Sequence, residues 1–493
     1  MAPAQRLQQI ILSQSSSVGR LTHPSEANIS LRRKEKIPLE ASLKASCRRS
    51  TWPKDSHLAC TPHPILIDPQ HDAAVRAIHE ALVLAITSIV ERWWTDTKAN
   101  FSHRMPLEPQ EEALLQWIDT LAPETLAPYR ERLGSWRPDF LVESVPDPTT
   151  PSGTREQFRI CEINAHFCWN GFLHTAYGQQ ALVDLGAETN RFVGATDPKQ
   201  LLDGLFTLFD ATKPLHLLKG AEPGLDIHMF ADLAEQRTGS RPILVRPDDL
   251  RLIPDHGAKL GYRLYCVVRG KDLQDKESRN GKRTRIRTDG DQFVHNGEML
   301  EEIHQIMRAL SVRCFNGMRT IFLVHDKRML GIVQQELDDL AEVLRAGICP
   351  TISAGSHEAA LFLQRSPMYK DGYRLKLIRS GKGAGIVFGD ELTAAEWEAK
   401  VRRYLSSATI GVDQPAYLVQ RQIVQCRYDA NYLIGTYHGL GGRYLGLGLW
   451  RSGPGRVCAI SLLSKLPPAL DVCTPFETET TLSIAAARFS VHV

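Results

Sequence analysis

The chain has 493 residues, 43% of them hydrophobic and 23% charged. That length supports about two to four domains, each with a core of its own, and the composition excludes a fibrous or wholly disordered protein. With 59 basic and 56 acidic side chains the net charge is only +3, too balanced to draw nucleic acid or a membrane surface globally, so any such contact would have to be local.

The first sixty residues stand apart. Residues 1–55 hold ten Lys or Arg against four acids, clustered at Arg32-Arg33-Lys34-Glu35-Lys36. A segment so charged and so poor in aromatic residues is expected to be a disordered basic tail, dispensable for activity; a transit peptide is the other reading, against which its acids and lack of amphipathic period count. From about residue 61 the pattern becomes that of a folded protein. Residues 73–98 carry Val75, Ile78, Leu82, Ile86 and Ile89 at helical spacing, and 111–133 continue in the same manner. The longest apolar run, Ala81 to Val90, falls short of the roughly 18 residues of a membrane helix. A strand is expected at 158–165.

A second region, 211–345, alternates short apolar runs with helical ones. His216-Leu217-Leu218, Ile243-Leu244-Val245, Leu264 to Val268 and Ile321 to Val324 are its expected strands, and the alternation is that of an α/β fold. The third region, 346–493, reads as strands at 373–378 and 417–424 around a helix at 393–406, then a Gly-rich strand at 432–451. The ten cysteines include no C-x-x-C pair and no secretory signal precedes them, so a reducing, cytoplasmic setting is expected. The basic stretch Lys271 to Arg287 has no interleaved aromatic and reads as a solvated loop or hairpin tip.

Two constellations carry chemistry. In Cys161-Glu162-Ile163-Asn164, residues two apart on a strand share a face, so Glu162 and Asn164 project together. Arg137 and Asp139 do the same if Arg137-Pro138-Asp139 is extended, as the step before proline favours. Two carboxylates and an amide are hard oxygen ligands of the kind magnesium takes, although Glu162 could instead cap its strand by pairing with Arg159 or Arg137. The second constellation is Arg374-Leu375-Lys376 running into Gly381-Lys382-Gly383-Ala384-Gly385. With alternate glycines the backbone N–H groups can approach an anion closely, and a lysine beside such a loop suits a phosphate; a plain hairpin turn is the other reading. Gln420 lies on a later strand, and Arg451 ends the stretch Gly446-Leu447-Gly448-Leu449-Trp450-Arg451.

The order of these pieces resembles the circularly permuted ATP-grasp ligases, especially the synthetase part of glutathionylspermidine synthase. There an R-x-D segment precedes an E-x-N segment, a lysine opens an apolar helix (here Lys327), and a lysine strand with a Gly-rich loop, a Gln strand and a strand ending in Arg follow. The family's Ser-Asn before the helix lysine is His325-Asp326 here. The resemblance implies an α/β fold with an ATP-grasp-like core assembled from two separated segments, 61–210 and 346–493, around a Rossmann-like pre-ATP-grasp domain at 211–345. It implies ATP and Mg2+ as cofactors, with Asp139, Glu162 and Asn164 on the metal. Lys327, Lys376, Gly381, Lys382, Gly383, Gly385 and Gln420 would lie on the nucleotide, and Arg137 and Arg451 on the transferring phosphate. The implied reaction joins a carboxylate to an amine through an acyl phosphate. A phosphotransferase that stops after phosphorylation and a non-catalytic nucleotide-binding relative are the alternatives.

Overall fold

The computed structural model describes residues 6–12, 29–48, 51–147, 153–187, 192–219, 226–258, 261–269, 283–287, 292–294, 304–336, 341–379, 381, 383–410, 415–428, 431–458 and 481–488. Its largest element is a mixed sheet. The strands run in the order Gln8–Gln9, Ile65–Ile67, Thr481–Arg488, Arg443–Gly453, Asn431–Leu440, Ser135–Pro146 and Thr154–Asn164. The last four are antiparallel neighbours, so a segment from the first half of the chain is hydrogen-bonded directly to one from the last quarter.

The Gly-rich stretch expected as one strand is two, Asn431–Leu440 and Arg443–Gly453, turned at Gly441 and Gly442. Both glycines have positive φ, +55° and +80°, a backbone that side chains with a Cβ rarely adopt. Beneath this sheet lies the helix Pro69–Glu91, started by Pro69 and by Asp68, whose carboxylate accepts the Gln70 N–H at 2.8 Å. By length and composition this helix could cross a membrane, yet here it is a core helix, with Val75, Ile78, Leu82, Ile86 and Ile89 buried.

Among the described residues of 215–315 are four short parallel strands in the order Cys314–Phe315, Gln292–Val294, Leu215–Leu218 and Ile243–Val245. The Tyr262–Arg269 run belongs instead to a separate antiparallel sheet, between Leu250–Pro254 and Arg283–Arg287. So part of the basic stretch at 271–287 is a strand; its remainder lies outside the described residues. Ile321 to Val324 is no strand. Residues Thr320–Val324 form a π-helical turn, buried throughout, that leads into the helix Arg328–Gln335. A four-residue apolar run has too little period to tell a buried helix from a buried strand.

A fourth sheet, Thr351–Ile352, Tyr417–Arg421, Tyr373–Leu377 and Val387–Phe388, is wholly antiparallel. The helices His357–Tyr369 and Ala394–Leu405 cover it over a small core of Phe362, Leu375, Trp397, Val401 and Val419.

The expectation of a disordered tail at 1–60 is overturned by the parts that are described. Gln8–Gln9 pairs with Ile65–Ile67, and Ile29–Ser46 is an 18-residue helix. Leu39, Leu43 and Cys47, spaced four apart, are buried with Trp52 against Phe172, Leu173, Ala176 and Tyr177. Composition averaged over sixty residues conceals this one apolar stripe, which borrows the face of another helix to complete a core. A sealed polar chain fastens the same segment: Ser56 Oγ lies 2.8 Å from His174 Nε2, and His174 Nδ1 lies 2.5 Å from Asp226 Oδ1. The bonding order is that of a nucleophile relay, but Ser56 and His174 are each 2% exposed. It acts as a latch between the N-terminal segment and the helix Phe172–Asp184.

Candidate functional site

The site forms where the edge strand of the large sheet, Thr154–Asn164, meets the Lys376 strand, Tyr373–Leu377. Across the antiparallel ladder Arg137 is the partner of Asn164, and Asp139 of Glu162, so all four side chains share one face. The i, i+2 expectation for both pairs therefore holds. Asp139, almost wholly buried, accepts from Arg137 Nε at 3.2 Å and Asn164 Nδ2 at 3.1 Å on Oδ1, while its Oδ2 pairs with Arg451. Arg451 reaches it from the second strand over, Arg443–Gly453.

Glu162 pairs with neither Arg159 nor Arg137. Its Oε2 stands 3.3 Å from Lys376 Nζ and 3.6 Å from Lys327 Nζ. Both lysines are about 4% exposed. Burial by itself would raise the Glu162 carboxyl, but Lys376, Lys327, Arg451 and Arg137 outweigh it and hold the group well below the ordinary carboxylate value. Lys327 is pushed down by burial, with Lys376 adding to the effect and Glu162 opposing it. Four cations thus converge on two carboxylates.

The lysines are set by backbone. Lys327 stands at the N-terminal cap position of the helix Arg328–Gln335, and its N–H donates to the Ile378 carbonyl at 3.1 Å, directly after the Lys376 strand. Lys376 Nζ also donates to the Cys161 carbonyl at 3.2 Å. Gln420 donates to that carbonyl at 3.2 Å and to Thr351 Oγ1 at 3.1 Å, while its Oε1 accepts from Arg374 at 2.7 Å. Gln420 is therefore a brace between the two sheets, oriented by Arg374, its partner across the ladder.

Gly381, Gly383 and Gly385 lie in the turn between Tyr373–Leu377 and Val387–Phe388, which is a hairpin. Gly383 and Gly385 take φ of +69° and +68°, and a Cβ at Gly385 would come within 2.7 Å of Leu377 Cδ1. Lys382 lies outside the described residues.

Sequence reasoning missed a second charge network. Arg379, just before the Gly turn, binds both oxygens of Glu111 at 2.6 and 2.7 Å and Asp326 at 3.1 Å. Asp326 also takes Arg328 at 2.8 Å. Although burial would raise Asp326, Arg328 and Arg379 bring it down to about 2. The sequence offered one cue, an acid flanked by the Lys327-Arg328 pair, but nothing in the spacing pointed to Arg379 or Glu111.

The donor chemistry suits a hard cation beside a polyanion. Glu162 and Asn164 supply carboxylate and amide oxygens, with Asp139 next to them, and the lysines supply point charges. Among the described residues no cluster of three or more His, Cys, Asp or Glu side chains forms a metal site, so a cation here would draw part of its shell from water and ligand.

A family model described as the AnkG N-terminal domain matches residues 78–323. The chain is 33% identical over 430 residues to a protein of Aspergillus thermomutatus named ATP-grasp enzyme ankG, across 81% of this chain and 86% of that one. The chain belongs to the ATP-grasp family. A solved structure of a glutathione synthetase-like effector (GSS30) from Globodera pallida, in its apo form, aligns with a TM-score of 0.48 at 10% identity, over 93% of this chain and 97% of that chain. Within this ATP-grasp chain the family model spans Arg137, Asp139, Glu162 and Asn164, while Lys327, Lys376, Gln420 and Arg451 lie C-terminal to it.

Proposed function

We propose that the protein is an ATP- and magnesium-dependent ligase that joins a carboxylate to an amine through an acyl phosphate. The observation that carries this reading is the convergence of two buried lysines, Lys327 and Lys376, on Glu162 beside two partly buried arginines, Arg137 and Arg451, on Asp139. Buried cations in excess cost several kcal/mol each unless a counter-charge arrives, and a triphosphate with a carboxylate substrate supplies one.

In this reading Lys376 and Lys327 hold phosphate oxygens, and Glu162 and Asn164, with Asp139 beside them, would hold Mg2+. ATP would supply the phosphoryl group that activates the substrate carboxylate. Asp139 holds both Arg137 and Arg451, which would neutralise charge building on the transferring phosphate and then on the tetrahedral oxyanion. One such donor is worth roughly 3 kcal/mol in comparable sites. Gln420 keeps the Lys376 strand docked against the Glu162 strand, so that positioning contributes with charge. The glycines at 381, 383 and 385 would let the backbone of their turn approach the nucleotide, and Lys382 would add a further cation to it. The chain order, Arg137 and Glu162 strands first and Lys376, Gln420 and Arg451 strands later, supports a permuted, glutathionylspermidine synthase-like arrangement around the parallel sheet at 215–315.

The test is a scan of carboxylate and amine pairs for ADP and phosphate release in the presence of magnesium. Release that requires both partners and yields an amide sustains the ligase. Amine-independent release with a stable phosphorylated product identifies a phosphotransferase instead.

A further inference from the structure

One carboxylate oxygen here serves two lysines. Glu162 Oε2 lies 3.3 Å from Lys376 Nζ and 3.6 Å from Lys327 Nζ, and Glu162 is also the natural cation ligand of the site, next to Asn164. The two lysines therefore compete with a cation for the charge of this carboxylate. An ammonium proton given to the carboxylate is not given to a phosphate, and a carboxylate flanked by two ammonium groups is a weaker ligand for a divalent ion.

We propose that Glu162 is an ion-exchange switch that makes nucleotide and divalent cation bind cooperatively: the cation displaces Lys376 and Lys327 from Glu162 and hands them to the triphosphate. The proposal rests on reading this cluster as the ATP site and adds how that site is gated. A buried ammonium needs a counter-charge, and Glu162 provides it until phosphates do. When the cation takes the carboxylate, the two lysines repel it and each other and turn to the nearest anion. When phosphates draw the lysines away first, Glu162 is left as an uncompensated carboxylate that favours the cation. Each ligand thus strengthens the other by the same factor.

The exchange needs little movement. The Lys327 backbone is pinned to Ile378 and the Lys376 strand is pinned by its ladder to Tyr417–Arg421, so only flexible four-carbon stems must swing. Lys376 Nζ already rests on the Cys161 carbonyl, a partner it can keep when Glu162 is withdrawn.

Calorimetry of the full chain with a non-hydrolysable ATP analogue, with and without magnesium chloride, tests the switch. In the wild-type protein magnesium should strengthen binding by about 5- to 150-fold, the usual span of coupling between two ligands. Glu162→Gln should bind the analogue more tightly than wild type when magnesium is absent, and should lose most of the magnesium effect. A variant no tighter than wild type in the absence of magnesium overturns the switch, even where Lys376→Ala and Lys327→Ala weaken magnesium-supported binding and so sustain the site. No analogue binding by wild type at any magnesium concentration overturns the site and the switch together.

Because Glu162→Gln removes a counter-charge from beside two buried lysines, Lys376→Ala supplies an independent arm, read by Mn2+ binding in electron paramagnetic resonance without nucleotide. Freeing Glu162 should tighten Mn2+ several-fold. Unchanged or weaker Mn2+ binding overturns the proposal.

Discussion

Lys376 and Glu162, 214 positions apart in the chain, meet at 3.3 Å where two sheets abut. The contact joins the strand Tyr373–Leu377 to the edge strand Thr154–Asn164, and Gln420 reinforces it by donating to the carbonyl beside Glu162. The same junction brings Lys327 within 3.6 Å of the same carboxylate. Charge, backbone and sheet docking are therefore one structure, and disturbing any of them should be felt by the others.

Lys376→Ala and Lys327→Ala should each weaken magnesium-supported binding of an ATP analogue by about tenfold to a hundredfold. That corresponds to about 1.5–3 kcal/mol, the usual worth of a hydrogen bond to a charged group. Titration calorimetry reads it directly. Unchanged affinity in both variants would mean that the nucleotide lies elsewhere.

Much of this site was legible from spacing. The i, i+2 rule placed Arg137 with Asp139 and Glu162 with Asn164, because a strand has a fixed period and its cross-strand partner shares its face. The Lys376 strand was legible for the same reason, whereas the helix after Lys327 came from the family resemblance alone. The Gln420 brace and the Arg379 network were not, since both depend on which elements dock, and docking leaves no period in a sequence. Ile321 to Val324 was misread because four apolar residues suit either backbone. The N-terminal helix was missed because Leu39 and Leu43 find their core on Phe172 and Leu173, far along the chain.

Leu43→Ala should lower the free energy of unfolding by about 2–5 kcal/mol, the range for a large-to-small change at a buried leucine, measured by urea denaturation. Deleting residues 1–60 should be far worse, because it uncovers Phe172, Leu173 and Tyr177 and removes Ser56 from His174. A deletion variant that melts like the intact chain would restore the reading of this segment as a dispensable tail.

Acid should destabilise the fold through buried histidines. Burial lowers His79 to about 4 and His438 to about 3, the latter helped by Arg137, from an ordinary value near 6.5. Below pH 6.5 the unfolded chain takes up protons at these positions while the folded chain does not. Their contribution is thus complete above pH 6.5 and shrinks as pH falls toward 4 and then 3. Urea midpoints across pH 7 to 4 should decrease, and His79→Gln should flatten the slope. A midpoint that stays level from pH 6.5 to 4.5 would contradict this.

Arg379 carries no signal of its own in the spacing of the sequence. Its guanidinium clasps Glu111, on the helix Pro109–Asp119, and Asp326, next to Lys327, and it stands just before the Gly-rich hairpin turn. Glu111 is 4% exposed, so without Arg379 it becomes a buried acid with its counter-charge removed. Asp326 keeps Arg328 and suffers less. Breaking a buried pair from one side costs about 3–5 kcal/mol, and the partial exposure of Arg379 places this case at the low end. Arg379→Met should therefore lower the melting temperature, and adding Glu111→Gln should recover part of the loss, because the amide removes the stranded charge. A double-mutant cycle isolates that coupling. If Arg379 also positions the phosphate lysines, Arg379→Met should weaken analogue binding well below the melting temperature, and Glu111→Gln should not rescue it, because the contact to Asp326 is still missing. Recovery of stability and affinity together would reduce Arg379 to a stabilising residue alone.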